Sequence, residues 1–231
     1  MTDFHYDPIP LRPPEQLAPE VILDNAAAYR NRLATPRTVR DFSDELIDRA
    51  VIEACVLSAG TAPSGVNHQP WRFACVSDPH TKRPIREAAE TEEQAFYGGR
   101  AKEAWVNDLK KIGTDGSKPF LETAPWVIAV FAERYQIDEK GAPQKHYCVS
   151  ESVGIARGFL INAFHQLGIA TLTHTPNPMK FLNQILQRPG NERPYMLLFV
   201  GRPAKTAIVP RAATVKKFWG RSRLLSDGSG Q

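Results

Sequence analysis

The chain has 231 residues and a formal net charge of +4 at pH 7, and 42% of its residues are hydrophobic against 23% that are charged. No run approaches the roughly 20 apolar residues that a membrane span needs, and the length suits one well-buried domain better than two. Lysine and arginine are spread along the chain instead of massed in a block, which argues against a nucleic-acid-binding protein.

The N-terminus and the cysteines predict a cytoplasmic protein. The first residues include acidic side chains and no apolar core, unlike a secretory signal. Cys55, Cys75 and Cys148 stand singly in apolar segments without the spacing of a metal site. We therefore expect buried thiols in a reducing compartment, with neither a disulfide nor a bound metal.

Residues 1–33 predict an N-terminal arm, because five prolines interrupt regular structure before a helical pattern at 20–33. Ser43 is a credible N-cap for a helix that ends at Gly60, and residues 216–231 form a basic tail. Between Gly60 and the tail, apolar residues form strand-like runs in some segments and recur with a helical period in others. We expect strands at 71–76, 125–131, 169–173 and 195–201, and helices at 82–111, 146–166 and 178–187.

Two of the predicted helices differ in polarity. The segment at 82–111 is unusually polar and is interrupted by the pair Gly98-Gly99, so it is either a solvated face or a mobile cover over a site. The segment at 146–166 is apolar on more than one side. That pattern suits packing against a second subunit as well as against the sheet of its own chain.

The loop TAPSGVNHQPW at 61–71 is the stretch most typical of a ligand site. Gly65 permits a close backbone approach, Pro63 fixes the course of the chain, and neighbouring polar side chains offer hydrogen bonds. Composition alone also fits an ordinary turn. Neither a glycine-rich dinucleotide motif nor a P-loop is present elsewhere in the sequence.

Two further groups of residues have the chemistry of binding sites. Arg37, Thr38 and Arg40 place two guanidinium groups and a hydroxyl near one backbone segment, as in phosphate binding, although surface arginine pairs are common. Glu93 and Tyr97 stand four residues apart and share a helix face. With Lys118 on a glycine-flanked loop they suit a free amino acid, although a polar pair on a solvated helix would look the same.

Together these motifs resemble the FMN-dependent nitroreductase superfamily and, within it, the iodotyrosine deiodinases, which reductively remove halogen from halotyrosines. The resemblance covers about residues 36–210. Its most specific parts are TAPSG at 61–65, EQAFY at 93–97, WVNDLKK at 105–111 and THTP at 173–176. It implies an α+β nitroreductase-like fold, in which helices flank a central, mostly antiparallel sheet, and an intertwined homodimer. The FMN-binding domain would span 34–215, with a lid at about 88–120.

The resemblance also implies which residues hold the cofactor. The position of Arg37, Thr38 and Arg40 binds the FMN phosphate and ribityl chain in the family. Pro36 replaces a further arginine of many relatives, so Lys216 or Lys217 in the tail would supply the missing charge. The remaining flavin contacts implied by the resemblance are Pro63, Ser64, Gly65, Thr173 and Thr175.

Substrate and catalytic roles follow from the same resemblance. The backbone N–H of Val66 matches the donor to the substrate phenolate, and Glu93, Tyr97 and Lys118 match the lid residues that grip the zwitterion. Thr175 matches the catalytic residue whose hydroxyl binds flavin N5. A donor at that position stabilises one-electron reduced flavin and favours single-electron steps over hydride transfer.

The implied activity is FMN-dependent reductive dehalogenation of 3-iodo-, bromo- or chloro-L-tyrosine to L-tyrosine and halide. An electron donor or flavin reductase is the expected partner, without nucleic acid or membrane. The closest rival is a broader NAD(P)H-dependent nitroreductase or quinone reductase of the same fold. The sequence also leaves open a flavin-destroying enzyme, a flavin- or ligand-binding module without turnover, and a basic nucleic-acid binder.

Overall fold

The structure is a computed structural model that describes residues 7–35 and 38–215. Backbone contacts divide the chain between Thr35 and Pro36 into two units. The described part of the first unit contains one helix, α1 (Pro19–Ala34), which begins with proline in its first turn and has no buried residue. The helix predicted at 20–33 is confirmed, whereas its role as an arm stays a prediction.

The second unit is built on a four-stranded sheet in which every neighbouring pair is antiparallel. Its strands lie in the order β1, β2, β6, β5, and a separate hairpin joins β3 to β4. The strands are β1 (Trp71–Val76), β2 (Trp126–Glu133), β3 (Tyr135–Ile137), β4 (Pro143–Lys145), β5 (Ala170–His174) and β6 (Glu192–Gly201). The predicted mostly antiparallel sheet is confirmed, and β3 and β4 are additions to it.

The helices of the second unit are, in chain order, α2 (Arg49–Gly60), α3 (Pro79–Ala95), α4 (Glu103–Lys111), α5 (Phe120–Thr123), α6 (Val149–Gln166), α7 (Phe181–Ile185) and α8 (Arg211–Thr214). Those that contribute to the cores, α2, α3, α5, α6 and α7, cover both faces of the sheet. Residues of β2 alternate between two cores: Ile128 packs with α2 and α6, whereas Phe131 packs with α3, α5 and α7. Because both faces are covered, Val127–Phe131 are fully buried, as the apolar run predicts.

The start of α2 differs from the prediction. The helix begins at Arg49, and its N-cap is Asp48, whose carboxylate accepts a hydrogen bond of 2.7 Å from the Ala50 amide. Ser43 is not the cap, because it lies well before the helix start, in a segment where its amide donates to the Arg202 carbonyl at 2.9 Å. The carbonyl of Ile47 accepts from the Trp126 indole at 2.8 Å. These tertiary hydrogen bonds hold residues 43–47 outside the helix.

Only one of the three cysteines is buried. Cys55 lies in the core beneath α2, but Cys75 and Cys148 are exposed, so the prediction of buried thiols is wrong for those two. Cys75 lies on β1, the edge strand of the sheet, and Cys148 immediately precedes α6. Edge strands and helix starts leave one side of the backbone uncovered, which an apolar sequence context does not reveal.

Membrane-spanning helices and metal clusters are both absent from the described part of the chain. No helix within 7–35 and 38–215 is long and apolar enough to cross a membrane. The same ranges contain no group of three or more His, Cys, Asp or Glu side chains placed to hold a metal ion.

Candidate active site

A cavity of about 500 Å³ opens beside the C-terminal end of β5. Its volume is in the range of small-molecule sites. The segment between α3 and α5 forms one wall, and Arg40 and the end of β5 form the other. Residues predicted for both cofactor and substrate therefore line the same space: Arg40, Glu93, Tyr97, Lys118, Thr173 and Thr175.

The three residues predicted for the lid meet inside this cavity. The Lys118 ammonium lies 3.3 Å from a carboxylate oxygen of Glu93 and 5.6 Å from the centre of the Tyr97 ring. Lys118 also donates to the hydroxyl of Thr114 at 2.9 Å and to the carbonyl of Asp115. Only 2% of its side chain is exposed. Lys118 thus lies enclosed within the wall of the cavity.

A break between α3 and α4 turns Tyr97 towards the cavity. The break spans Phe96–Arg100, where Gly99 adopts a φ of 131°, a conformation that residues with a Cβ rarely tolerate. Arg100 fixes the break by pairing with Glu92 at 2.8 Å and by donating to the Asn177 carbonyl. Burial, the largest cause, raises the pKa of Tyr97, so its phenol is a neutral hydrogen-bond donor at pH 7.

The segment that carries Arg40 is bound to the edge of β5. Thr38 forms an isolated parallel bridge with Thr171, and the amide of Val39 donates to the Thr171 carbonyl at 3.2 Å. Val39 is buried, and Arg40 then reaches the cavity, where it donates to the carbonyl of Ile112 at 3.3 Å. Thr38 is exposed and does not line the cavity.

Two predicted cationic contacts cannot be placed. Arg37 and Lys216 both lie outside the described residues, as does Lys217. The contribution of these side chains to a phosphate site stays a prediction.

The loop at 61–70 is a tightly constrained turn. The Gly65 amide donates to the Ser152 hydroxyl at 3.2 Å, and a Cβ on Gly65 would lie 2.9 Å from the Tyr147 carbonyl oxygen. Close backbone approach thus requires glycine here, as predicted. Ser64 accepts a hydrogen bond of 2.9 Å from the Gln69 amide. Val66 is 76% exposed in a left-handed conformation with φ 50°.

The structure does not bring this loop to the cavity. Pro63, Ser64, Gly65 and Val66 are all absent from the described residues that line it. A single chain therefore does not place these residues at the cavity, and their contacts with flavin and substrate stay predictions.

One cavity residue, His174, is not indicated as a site residue by the sequence. It ends β5 between Thr173 and Thr175, and its Nε2 lies 3.9 Å from a carboxylate oxygen of Glu93. Burial, followed by the positive charges of Lys118 and Arg40, lowers the pKa of His174 to about 3. Its position in the THTP motif was the available signal, but histidine in a strand pattern does not by itself indicate a binding role.

Comparisons with known proteins agree with this fold. Residues 33–202 match the nitroreductase family, to which the chain belongs. The iodotyrosine deiodinase of Haliscomenobacter hydrossis is 52% identical over 195 residues, which are 84% of this chain and 88% of that protein. The iodotyrosine deiodinase of Nematostella vectensis is 42% identical over 192 residues, 83% and 73% of the two chains. Within its family the chain is thus an iodotyrosine deiodinase homologue.

A solved structure gives the same relationship. The crystal structure of oxidized iodotyrosine deiodinase bound to FMN and 3-iodo-L-tyrosine matches with a TM-score of 0.67 and 28% identity. The match covers 77% of this chain and 90% of that one. The predicted family, the predicted α+β nitroreductase-like fold and the predicted class of enzyme, an oxidoreductase, are confirmed.

Proposed function

We propose that the protein is an FMN-dependent enzyme that reductively dehalogenates 3-iodo-, bromo- or chloro-L-tyrosine to L-tyrosine and halide. The reaction replaces the carbon–halogen bond with a carbon–hydrogen bond and consumes two electrons and one proton. One observation carries the proposal: Glu93, Tyr97 and Lys118 meet in the cavity that Arg40 and Thr175 also line. The membership of the chain among iodotyrosine deiodinase homologues supports the same substrate class.

The ion pair between Glu93 and Lys118 is suited to a zwitterion. Its two charges lie 3.3 Å apart in a largely buried site, where each charge needs a partner. An amino acid that enters between them offers an ammonium to Glu93 and a carboxylate to Lys118, while the Tyr97 phenol donates to that carboxylate. A halophenol without the amino-acid group leaves both charges without new partners, so the site selects amino acids.

The residues of the cavity fit FMN as the cofactor. Arg40 supplies a fixed positive charge, and Thr173 and Thr175 supply hydroxyl groups on the same wall. Bound FMN supplies the two electrons of the reduction. In this proposal Arg40, with Thr38, Arg37 and Lys216, would hold the phosphate and ribityl chain, and the Thr175 hydroxyl would donate to flavin N5, which would favour single-electron steps.

A homodimer would complete the site. Pro63, Ser64, Gly65 and Val66 do not line the cavity of their own chain, whereas the resemblance assigns these residues to flavin and phenolate. A second copy that places this loop beside the cavity would reconcile the observed lining with the roles that the resemblance implies. The exposed Val66 suits such a contact, and its amide then donates to the phenolate of the substrate.

The proposal also covers the domain bounds, the electron donor and the cellular location of the enzyme. The domain spans 34–215, residues 88–120 act as its lid, and 1–33 and 216–231 are its arm and tail. A separate electron donor or flavin reductase regenerates reduced FMN, and the enzyme acts in the cytoplasm. Lys and Arg do not form a block that suits nucleic acid.

The proposal is tested on purified protein that is loaded with FMN and reduced without oxygen. Added 3-iodo-L-tyrosine should yield tyrosine and iodide in equal amounts. Absence of iodide would overturn the assignment. Rapid turnover of nitroarenes with NAD(P)H, without dehalogenation, would instead identify the broader nitroreductase.

Substitutions in the ion pair test its role in selecting zwitterions. We expect Glu93→Gln and Lys118→Met to weaken 3-iodo-L-tyrosine binding at least about tenfold, because a hydrogen bond to a charged group contributes about 1.5–3 kcal/mol. Binding of 2-iodophenol should change less than about twofold. Glu87→Gln, on an exposed position of α3, is the matched control. Equal losses for both ligands would contradict zwitterion recognition by this pair.

A further inference from the structure

We propose that His174 is a substrate-binding residue whose imidazole Nε2 accepts a hydrogen bond from the ammonium group of the amino acid. In this role His174 and Glu93 bind the same ammonium. The inference deepens the proposed function and rests on it.

The imidazole of His174 is held firmly in the cavity wall. Its side chain is 11% exposed. The ring stands edge-on to Phe120 and is tilted against Phe199, with centroid distances of 6.3 Å in both cases. These contacts restrict the ring to a position beside the carboxylate of Glu93. His174 is therefore oriented before a ligand arrives, which lowers the entropic cost of binding.

The Nε2 atom of His174 lacks a partner in the described structure. It is buried, and no hydrogen-bonding group of residues 7–35 or 38–215 is bonded to it. An unsatisfied buried polar atom costs about 1–3 kcal/mol. The distance of 3.9 Å to Glu93 is too long for a hydrogen bond. A ligand group that reaches this atom therefore removes a cost already present in the free protein.

Lys118 does not satisfy this atom, although it lies in the same wall. Its ammonium has three N–H donors. Three acceptors already surround it: the hydroxyl of Thr114, the carbonyl of Asp115 and the carboxylate of Glu93. The histidine nitrogen thus remains available to a donor that comes from outside the chain.

The charges around His174 determine which kind of ligand group fits. The burial and positive neighbours that lower its pKa to about 3 keep the ring neutral at pH 7, so the ring retains one acceptor nitrogen, and the tautomer that carries its proton on Nδ1 presents Nε2 as that acceptor. Glu93 on the same side is also an acceptor. A nitrogen about 2.9 Å from both atoms spans the gap of 3.9 Å with normal hydrogen bonds. A primary ammonium has enough N–H groups to do so, whereas a carboxylate has none.

The test compares three ligands of the FMN-loaded enzyme: 3-iodo-L-tyrosine, 3-iodotyramine, which lacks the carboxylate, and 3-(3-iodo-4-hydroxyphenyl)propionate, which lacks the ammonium. We expect His174→Leu to raise the Kd of both ammonium ligands about tenfold, the loss of one hydrogen bond to a charged group. The Kd of the propionate should stay within about twofold. His174→Gln, which retains an acceptor, should restore most of the affinity. His80→Leu, exposed at the start of α3, is the control.

A second measurement uses the unaltered protein and does not depend on how a variant folds. NMR of the imidazole nitrogens should show a shift of the His174 Nε2 signal with 3-iodotyramine and none with the propionate. Equal weakening of all three ligands, or unchanged binding by His174→Leu, would overturn the role of His174 alone. Wild-type protein that does not bind 3-iodo-L-tyrosine would overturn the proposed function, and this inference with it.

Discussion

At the scale of single residues, the cavity concentrates charge in a largely buried space. Lys118 and Arg40 are cationic, Glu93 is anionic, and Lys118 is almost fully enclosed. A buried charge is tolerated only where partners replace its hydration, which the hydroxyl, carbonyl and carboxylate around Lys118 do. Burial, followed by the positive charges of Lys118 and Arg40, disfavours protonation of His174. The imidazole is therefore neutral at pH 7 because of the groups that surround it.

This neutrality predicts a pH dependence of stability. The pKa of His174 falls from 6.5 to about 3 on folding, so between these values the unfolded chain binds more protons than the folded one. The free energy of unfolding should fall on acidification below pH 6.5, by up to about 1.4 kcal/mol per pH unit from this group. About one pH unit above 6.5, where the imidazole of the unfolded chain is also deprotonated, His174 contributes almost no slope.

The measurement is urea unfolding of the wild type and of His174→Gln over this pH range. The variant should lose the part of the slope that belongs to His174. Parallel curves for the two proteins would show that the imidazole titrates normally in the folded state and would contradict its burial among cations.

At the scale of elements, the break between α3 and α4 positions the lid. Gly98 and Gly99 are adjacent, and a Cβ on either would enter open space, but only Gly99 has a positive φ, 131°. We expect Gly99→Ala to destabilise the break by about 1–2 kcal/mol and to weaken binding of 3-iodo-L-tyrosine, because Tyr97 lies in the same turn. Gly98→Ala should be neutral, or stabilising by up to about 1 kcal/mol.

Isothermal titration with the halotyrosine and thermal unfolding of both variants measure the two effects. Because Gly99→Ala and Gly98→Ala add the same methyl group, the comparison separates the effect of backbone strain from the effect of added volume. Similar losses for the two alanines would show that crowding, and not the positive φ, governs this turn.

The loop at 61–70 depends on a different property of glycine. In Gly65→Ala the new Cβ would meet the Tyr147 carbonyl at 2.9 Å and the Cys148 Cβ at 3.1 Å. Because a backbone atom blocks the methyl group, the loop must shift, at a cost of about 1–3 kcal/mol. We expect a lower urea midpoint and weaker FMN binding. Gly60→Ala, whose Cβ would meet no atom within 4 Å, is the matched control.

Local patterns predicted the elements whose signals lie within a few residues. The buried run of β2, the apolar α6 and the pairing of Glu93 with Tyr97 on one side of the lid belong to this group. The start of α2 was not predicted, because hydrogen bonds with the Arg202 carbonyl and the Trp126 indole, both distant in sequence, hold the preceding residues. The short strands β3 and β4, three residues each, carry too little periodicity to be recognised.

Prediction of the active site from local sequence patterns meets the same limit. The resemblance named Lys118, but its burial depends on acceptors that only the folded loop supplies. His174 was missed because its function depends on the distance to Glu93, 81 positions earlier in the sequence. Chemistry that a short motif contains was therefore predictable, whereas chemistry that needs a tertiary contact was not.

At the scale of the whole molecule, α6 leaves apolar side chains uncovered. Ile155 and Phe159 lie four residues apart on one face of this helix and are 42% and 43% exposed. Leu57 on α2, which packs beside α6, is 73% exposed. Apolar side chains grouped on neighbouring helices are typical of a protein interface, and they support the proposed homodimer.

A substitution that disrupts the dimer should therefore also impair the active site. We expect wild-type protein to sediment as a dimer, and Phe159→Glu to sediment as a folded monomer, because an uncompensated charge opposes burial at a symmetric interface. If the partner chain supplies the loop at 61–70, the monomer should also bind FMN at least about tenfold more weakly, although Phe159 does not line the cavity. Ile137→Glu, at a 57% exposed position of β3, is the control and should remain a dimer with full FMN content. A wild-type monomer would contradict the interface, whereas a Phe159→Glu monomer with undiminished FMN affinity would show that one chain forms the whole cofactor site.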